Sequence, residues 1–149
     1  MLITLGEYFD LNPRQIQAIN RLVAKKIMGW EYHEYSNSPD QMTNPDIPPE
    51  NGIVQVRNIP KYAENIGSAW EVYEKMLTKH SHSGSDSWEI LNKVTDLPCV
   101  SFYRNEIKET SYRVRSETVP LAICICALLT VGVDVNLLLD LHTEYSEIL

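Results

Sequence analysis

Apolar residues recur at helical intervals in three stretches of the chain. Ile16, Ile19, Val23 and Ile27 follow one another at spacings of three, four and four, which predicts an amphipathic helix with one buried face. Asn12-Pro13 ahead of it supplies a capping side chain and a first-turn proline. Lys25 and Lys26 suit the negative end of the helix dipole, and Gly29 ends the helix. A second helix is predicted from Ile66 to Lys79, capped by Asn65, with Ile66, Ala69, Trp70, Tyr73, Met76 and Leu77 on its apolar side. Trp30, Trp70 and Tyr73 read as core residues. Thr118 caps a third helix with Pro120 in its first turn. The run Leu121 to Leu129 is apolar nearly all round, so this helix should be the most buried, with Gly132 as its stop. Leu137, Leu138, Leu141 and Tyr145 mark a fourth helix in Asn136 to Leu149.

Between the second and third helices the period changes. Trp88 to Val94, Cys99 to Arg104 and Thr110 to Arg115 read as strands joined by short polar links, which favours antiparallel neighbours. Glu31 to Tyr35 and Ile53 to Val56 are expected as two further short strands, with Asn37 to Gly52 as a long surface loop and His80 to Ser87 as a polar loop. Leu2 to Leu11 reads as an apolar lead-in of a helical turn or two. The fold class is therefore α+β: an antiparallel β-sheet sandwiched by α-helices. The 149 residues suit a single domain with a core of about 19–135 and helical extensions at both ends.

No apolar run reaches the roughly 18 residues of a membrane span, and Met1 to Glu7 lacks the basic start of a signal peptide. The cytosol is the expected compartment. Cys124 and Cys126 would point about 200° apart on a helix; with Cys99 they are expected as buried, reduced thiols. The net charge of −7 argues against non-specific binding to DNA, RNA or anionic membranes, yet leaves room for a small anion in a local basic pocket.

The chemistry of a common enzyme is not visible. The cysteines sit in apolar surroundings that suppress their reactivity. There is no nucleophile elbow and no phosphate-binding glycine loop. His80, His82 and Asp86 lie in a Ser/Gly loop without the firm frame a metal needs, and Glu31, His33 and Glu34 form a weaker cluster. No cofactor and no metal is expected. The remaining feature is a concentration of positive charge at Arg104, Lys108, Arg113 and Arg115. On a strand Arg113 and Arg115 share a face, and the strand leads through Ser116 and Thr118 into the start of the third helix, where backbone N–H groups are free to meet an anion. Phe102 and Tyr103 on the neighbouring strand offer rings to stack a base. The alternative is that both arginines pair with Glu106, Glu109 or Glu117 on an exposed face.

Three fragments in order, Val23 to Trp30, Ile59 to Val72 and Thr118 to Leu128, resemble the phage ABA sandwich domain over about Ile19 to Val135. That family, found in phages and prophages, includes a Thoeris anti-defence protein that sequesters a cyclic ADP-ribose signal made by a host TIR-domain protein and does not cleave it. Such sponges can also hold cyclic oligonucleotides. The resemblance implies a homo-oligomer, dimer or hexamer, with ligand sites at subunit contacts, acting in the cytoplasm of an infected bacterial host. Arg113 and Arg115 fit phosphate contacts and Phe102 fits adenine stacking in such a protein. The expected function is thus signal capture by a non-enzyme. The alternative is a protein-interaction module that blocks a host protein or serves phage assembly, and a nucleotide-degrading enzyme is the third reading.

Overall fold

The computed structural model describes residues 2–8, 11–80, 87–91, 99–104 and 110–134, with side chains for 11–76, 114 and 116–134. Among these residues the elements follow in the order β1 (Leu2–Tyr8), α1 (Pro13–Lys26), β2 (Gln41–Thr43), β3 (Val56–Asn58), α2 (Ile66–His80), β4 (Ser87–Leu91), β5 (Cys99–Arg104), β6 (Thr110–Ser116) and α3 (Val119–Thr130).

Each helix starts where a short polar side chain takes up a free backbone N–H. The Asn12 side chain accepts from Gln15 N at 2.9 Å, and Gln15 answers by accepting from Asn12 N at 2.9 Å, a reciprocal capping box. Asn65 accepts from Ser68 N at 3.0 Å at the start of α2, and Thr118 accepts from Leu121 N at 3.3 Å at the start of α3. Past the ends of α1 and α3 the chain turns through left-handed glycines, Gly29 at φ 79° and Gly132 at φ 91°, a conformation that a side chain would strain.

Four strands form one sheet in the order β1-β6-β5-β4. The three later strands make the expected antiparallel meander. The first strand corrects the reading of Leu2 to Leu11 as a helical lead-in: it pairs parallel with β6, with an irregularity between Leu5 and Glu7. The sheet is therefore mixed. Ile3 and Leu5 already alternate with Thr4, but the partner that makes them a strand lies more than a hundred residues away. A second sheet of two antiparallel strands joins β2 to β3. It corrects the reading around residues 31–56. Glu31 keeps only a bridge to Thr43, Ile53 only a bridge to Glu50, and the two short strands fall later in the chain than expected.

Helix α3 is the hub. It packs on β5 and β6 and also on α1 and α2, and every residue from Leu121 to Leu128 is buried. This is why its sequence is apolar on all sides. Its one buried hydroxyl near the end, Thr130, donates back to Cys126 O at 2.8 Å. Cys124 and Cys126 are buried and form no disulfide, as their apolar setting implies, and burial pushes the Cys124 thiol well above its ordinary range.

The core continues through Ile19, Val23, Ala24 and Ile27 on the α1 segment and Ala69, Val72 and Met76 on α2. Trp30 and Tyr62 join it as a pair. Burial raises the Tyr62 phenol to about 12, against the opposing effect of a hydrogen bond with the Trp30 side chain; the indole N–H is the donor, since it cannot accept. Trp70 does not belong to this core. It is 45% exposed and Ile66 is 56% exposed, so the apolar side of α2 contains two stripes, and only the one through Ala69, Val72 and Met76 faces α3. Tyr73 lies between them, half-buried and stacked on Trp70 with ring centroids 4.7 Å apart.

The expected fourth helix, Asn136 to Leu149, and the loop containing His82 and Asp86 lie outside the described residues. Among the described residues no three His, Cys, Asp or Glu side chains come together as a metal site, and no helix is long and apolar enough to cross a membrane.

Candidate functional site

The register of the four-stranded sheet sorts the candidate residues onto two faces. Val114 and Ser116 are both fully buried, and α3 is the helix packed on their strand. Positions of the same parity therefore form the α3 face. Across the sheet that face reads Ile3, Tyr112, Phe102 and Trp88 in one row, and Leu5, Val114, Val100 and Ile90 in the next. Both rows are apolar throughout, as a buried face requires.

The opposite face differs in kind. Its rows read Leu2, Ser111, Tyr103 and Ser87; then Thr4, Arg113, Ser101 and Glu89; then Glu7, Arg115, Cys99 and Leu91. Arg113 and Arg115 thus share a face, two residues or roughly 7 Å apart along the strand, as the alternation of the sequence implies. Tyr103 occupies a position on the same face. Phe102 and Arg104 occupy positions of the α3 face, together with buried Ser116, so the seven candidates do not form one cluster. The side chains at positions 102, 103, 104, 113 and 115 lie outside the described ones, and their arrangement here is that of the backbone register.

The register also supplies a carboxylate that the sequence did not bring near. Glu7 is the partner of Arg115 across β1 and β6, whereas Arg113 is flanked by Thr4 and Ser101. Glu89 lies in the Arg113 row but two strands away, roughly 10 Å at the usual strand spacing. By register, a carboxylate position adjoins Arg115 on the neighbouring strands and none adjoins Arg113. Glu106 and Glu109, weighed as partners from sequence, lie outside the described residues.

The start of α3 has fewer donors than a helix start usually presents. Pro120 has no N–H. Leu121 N is taken by the Thr118 side chain and Ala122 N by Thr118 O. The backbone N–H of Val119 and the hydroxyl proton of exposed Thr118 are what this end can still direct outward.

The family model of the phage ABA sandwich domain matches residues 21–128, well over half of the chain and the span that holds the end of α1, all of α2, the antiparallel meander and most of α3. The chain belongs to the phage ABA sandwich domain family. The strand β1 lies before the matched region. A crystal structure of a phage protein from Bacillus cereus ATCC 14579 resembles this domain with a TM-score of 0.53 and 26% sequence identity, covering 83% of this chain and 96% of that one. None of the curated proteins compared with the sequence matches it.

Proposed function

We propose that this phage ABA sandwich domain captures a phosphate-bearing cyclic nucleotide signal, of the cyclic ADP-ribose or cyclic oligonucleotide kind, and holds it without cleaving it. The observation that carries the reading is the shared sheet face of Arg113, Arg115 and Tyr103. Two guanidinium groups at that spacing can divide the oxygens of one phosphate or pyrophosphate between them, and a neighbouring ring can stack a base. Thr118 and the Val119 N–H lie just beyond, at the end of the same strand. An excess of negative charge elsewhere, −7 overall, confines anion binding to such a local patch. Capture of this kind requires no nucleophile and no metal. The protein would act as a homo-oligomer in the cytoplasm of the infected host, and the resemblance to signal sponges is what supports that setting.

The neighbours of the two arginines rank them. Arg113→Ala should weaken capture about tenfold to a hundredfold, the loss expected for one charge-assisted pair. Arg115→Ala should cost less, on the reading that a carboxylate at the adjoining register position, Glu7, offsets part of its charge. The measurement is isothermal titration with cyclic ADP-ribose isomers, followed by heating the complex and chromatography of what is released. Intact ligand is the expected product. A hydrolysed product would make the protein an enzyme, and unchanged affinity in Arg113→Ala would remove the arginine face from the site.

A second reading rests on a separate observation. The Ile66, Trp70 and Tyr73 stripe is an apolar, aromatic surface on α2 beside its buried stripe of Ala69, Val72 and Met76, the composition of a protein-binding hot spot. A partner recovered from host lysate whose binding is lost in Trp70→Ala, with no response to the nucleotide panel, would favour a protein-interaction module.

A further inference from the structure

A cleft of about 330 Å³ opens between the first two turns of α1, the segment around Asp40 and the turn before α2. Its volume is at the lower end of the range for small-molecule sites. Gln17, Asn58, Lys61 and Glu64 converge on it. Among the described residues the side chains of the first three have no protein partner. Glu64 Oε2 accepts from Asn20 Nδ2 at 3.3 Å, which leaves Oε1 uncommitted. Pro13, Ile59 and Pro60 add an apolar wall.

The frame of the cleft is fixed by bonds that a ligand need not organise. Arg21 donates to Asp40 at 2.7 Å and 3.4 Å through two nitrogens. Ile59 N donates to Asp40 O at 2.8 Å. Buried Asn20 accepts from Ala63 N at 2.7 Å while donating to Glu64. Pro13 is held by the capping box of α1. A site built this way loses little entropy on binding.

The charges select the ligand class. Asp40 is balanced by Arg21, and Lys61 faces the same cleft as Glu64, so the lining is close to neutral. A free anion meets Asp40 and Glu64, and a free cation meets Lys61. Among the described residues no aromatic ring lines the cleft, so a nucleobase has nothing there to stack on. What remains is a set of carboxylate and amide groups beside an aliphatic wall, which suits hydroxyls on one edge of a saturated ring and C–H groups on its face. We infer that this cleft binds a neutral vicinal diol, a sugar or the ribose of a nucleoside, with Glu64 accepting from the hydroxyls and Gln17 and Asn58 bridging to the ring substituents.

The test is an NMR titration of the ¹⁵N-labelled full chain with D-ribose, adenosine, glycine and inorganic phosphate in separate arms. D-Ribose or adenosine should shift the backbone amides of Ala63 and Glu64 and the side-chain amides of Gln17 and Asn58. A response to both assigns the sugar ring itself, and a response to adenosine alone assigns a nucleoside; either supports the site. Glu64→Gln should weaken that binding about tenfold, because a charge-assisted bond becomes a neutral one, and Gln17→Ala a few-fold. Both residues are exposed, so neither change threatens the fold. Shifts with glycine or phosphate alone, no shifts with either diol, or unaltered affinity in Glu64→Gln would overturn the proposal. Arg113→Ala should leave diol binding unchanged, since β6 contributes nothing to the cleft, so the failure of one site is separable from the failure of the other.

Discussion

Leu128→Ala is expected to lower the free energy of unfolding by about 3–4 kcal/mol. Leu128 is fully buried in α3, the helix on which the sheet, α1 and α2 all pack. Truncating a fully buried side chain on the helix that all of these elements share leaves a cavity that solvent does not reach. Each of them is held by further contacts, so none can move in fully to fill the gap, and the cost should sit well above the low end of the range for such truncations. The matching control is Ile66→Ala. It removes a residue of similar size from α2, but Ile66 is more than half exposed, so its loss should stay below about 1 kcal/mol. Urea unfolding followed by circular dichroism reads both. Equal losses in the two variants would mean that α3 is not the centre of the core.

The comparison also shows what was legible in the sequence. The helix α1 could be read almost completely, because a capping asparagine, a proline, an apolar face and a terminating glycine are all local signals. The same holds for α3, whose apolar run states directly that it has no solvent face. In α2 the periodicity identified a helix but not which apolar stripe is buried. Ile66, Trp70 and Tyr73 have helical spacing just as Ala69, Val72 and Met76 do, and only the position of α3 decides between them. The small Ala69 and unremarked Val72 mark where the two helices approach closely. Strand β1 was missed for a different reason. Its pairing with β6 is parallel and long-range, and no local turn announces it.

The candidate site was legible to the same degree. Alternation alone placed Arg113 and Arg115 on one face, and the register agrees. It could not say which neighbouring aromatic lies with them, because that depends on how β5 is set against β6. Phe102 pairs with Tyr112 and Tyr103 with Ser111, a relation fixed by strand pairing and not by the spacing within either strand. Nor could it find Glu7 as a neighbour of Arg115. The cleft beside α1 was invisible for a similar reason: its lining comes from three stretches of chain, each with unremarkable polar residues.

Asn20→Ala should cost about 3 kcal/mol, although the substitution removes only a polar side chain from a helix and improves the intrinsic helix propensity at that position. Asn20 is 4% exposed and Ala63 is 3% exposed. The amide oxygen of Asn20 is what satisfies Ala63 N, at 2.7 Å and across 43 residues of sequence. Without it a buried backbone donor is left with no acceptor, which costs the desolvation of that group in full. The bond from Asn20 Nδ2 to Glu64 is lost as well, and with it the tie that holds the turn before α2 against α1. Asn20→Asp keeps an acceptor for Ala63 N but replaces the donor facing Glu64 with a second carboxylate in a buried place, so it should be destabilised too, and less so as the pH falls and one of the two carboxylates is protonated. Asn20→Ala has no group to titrate at that position and should show no such recovery. Unfolding measured across the acidic range distinguishes the two variants. A loss below about 1 kcal/mol in Asn20→Ala would mean that water or a neighbouring carbonyl replaces the asparagine at Ala63, and that the turn before α2 is held by other contacts.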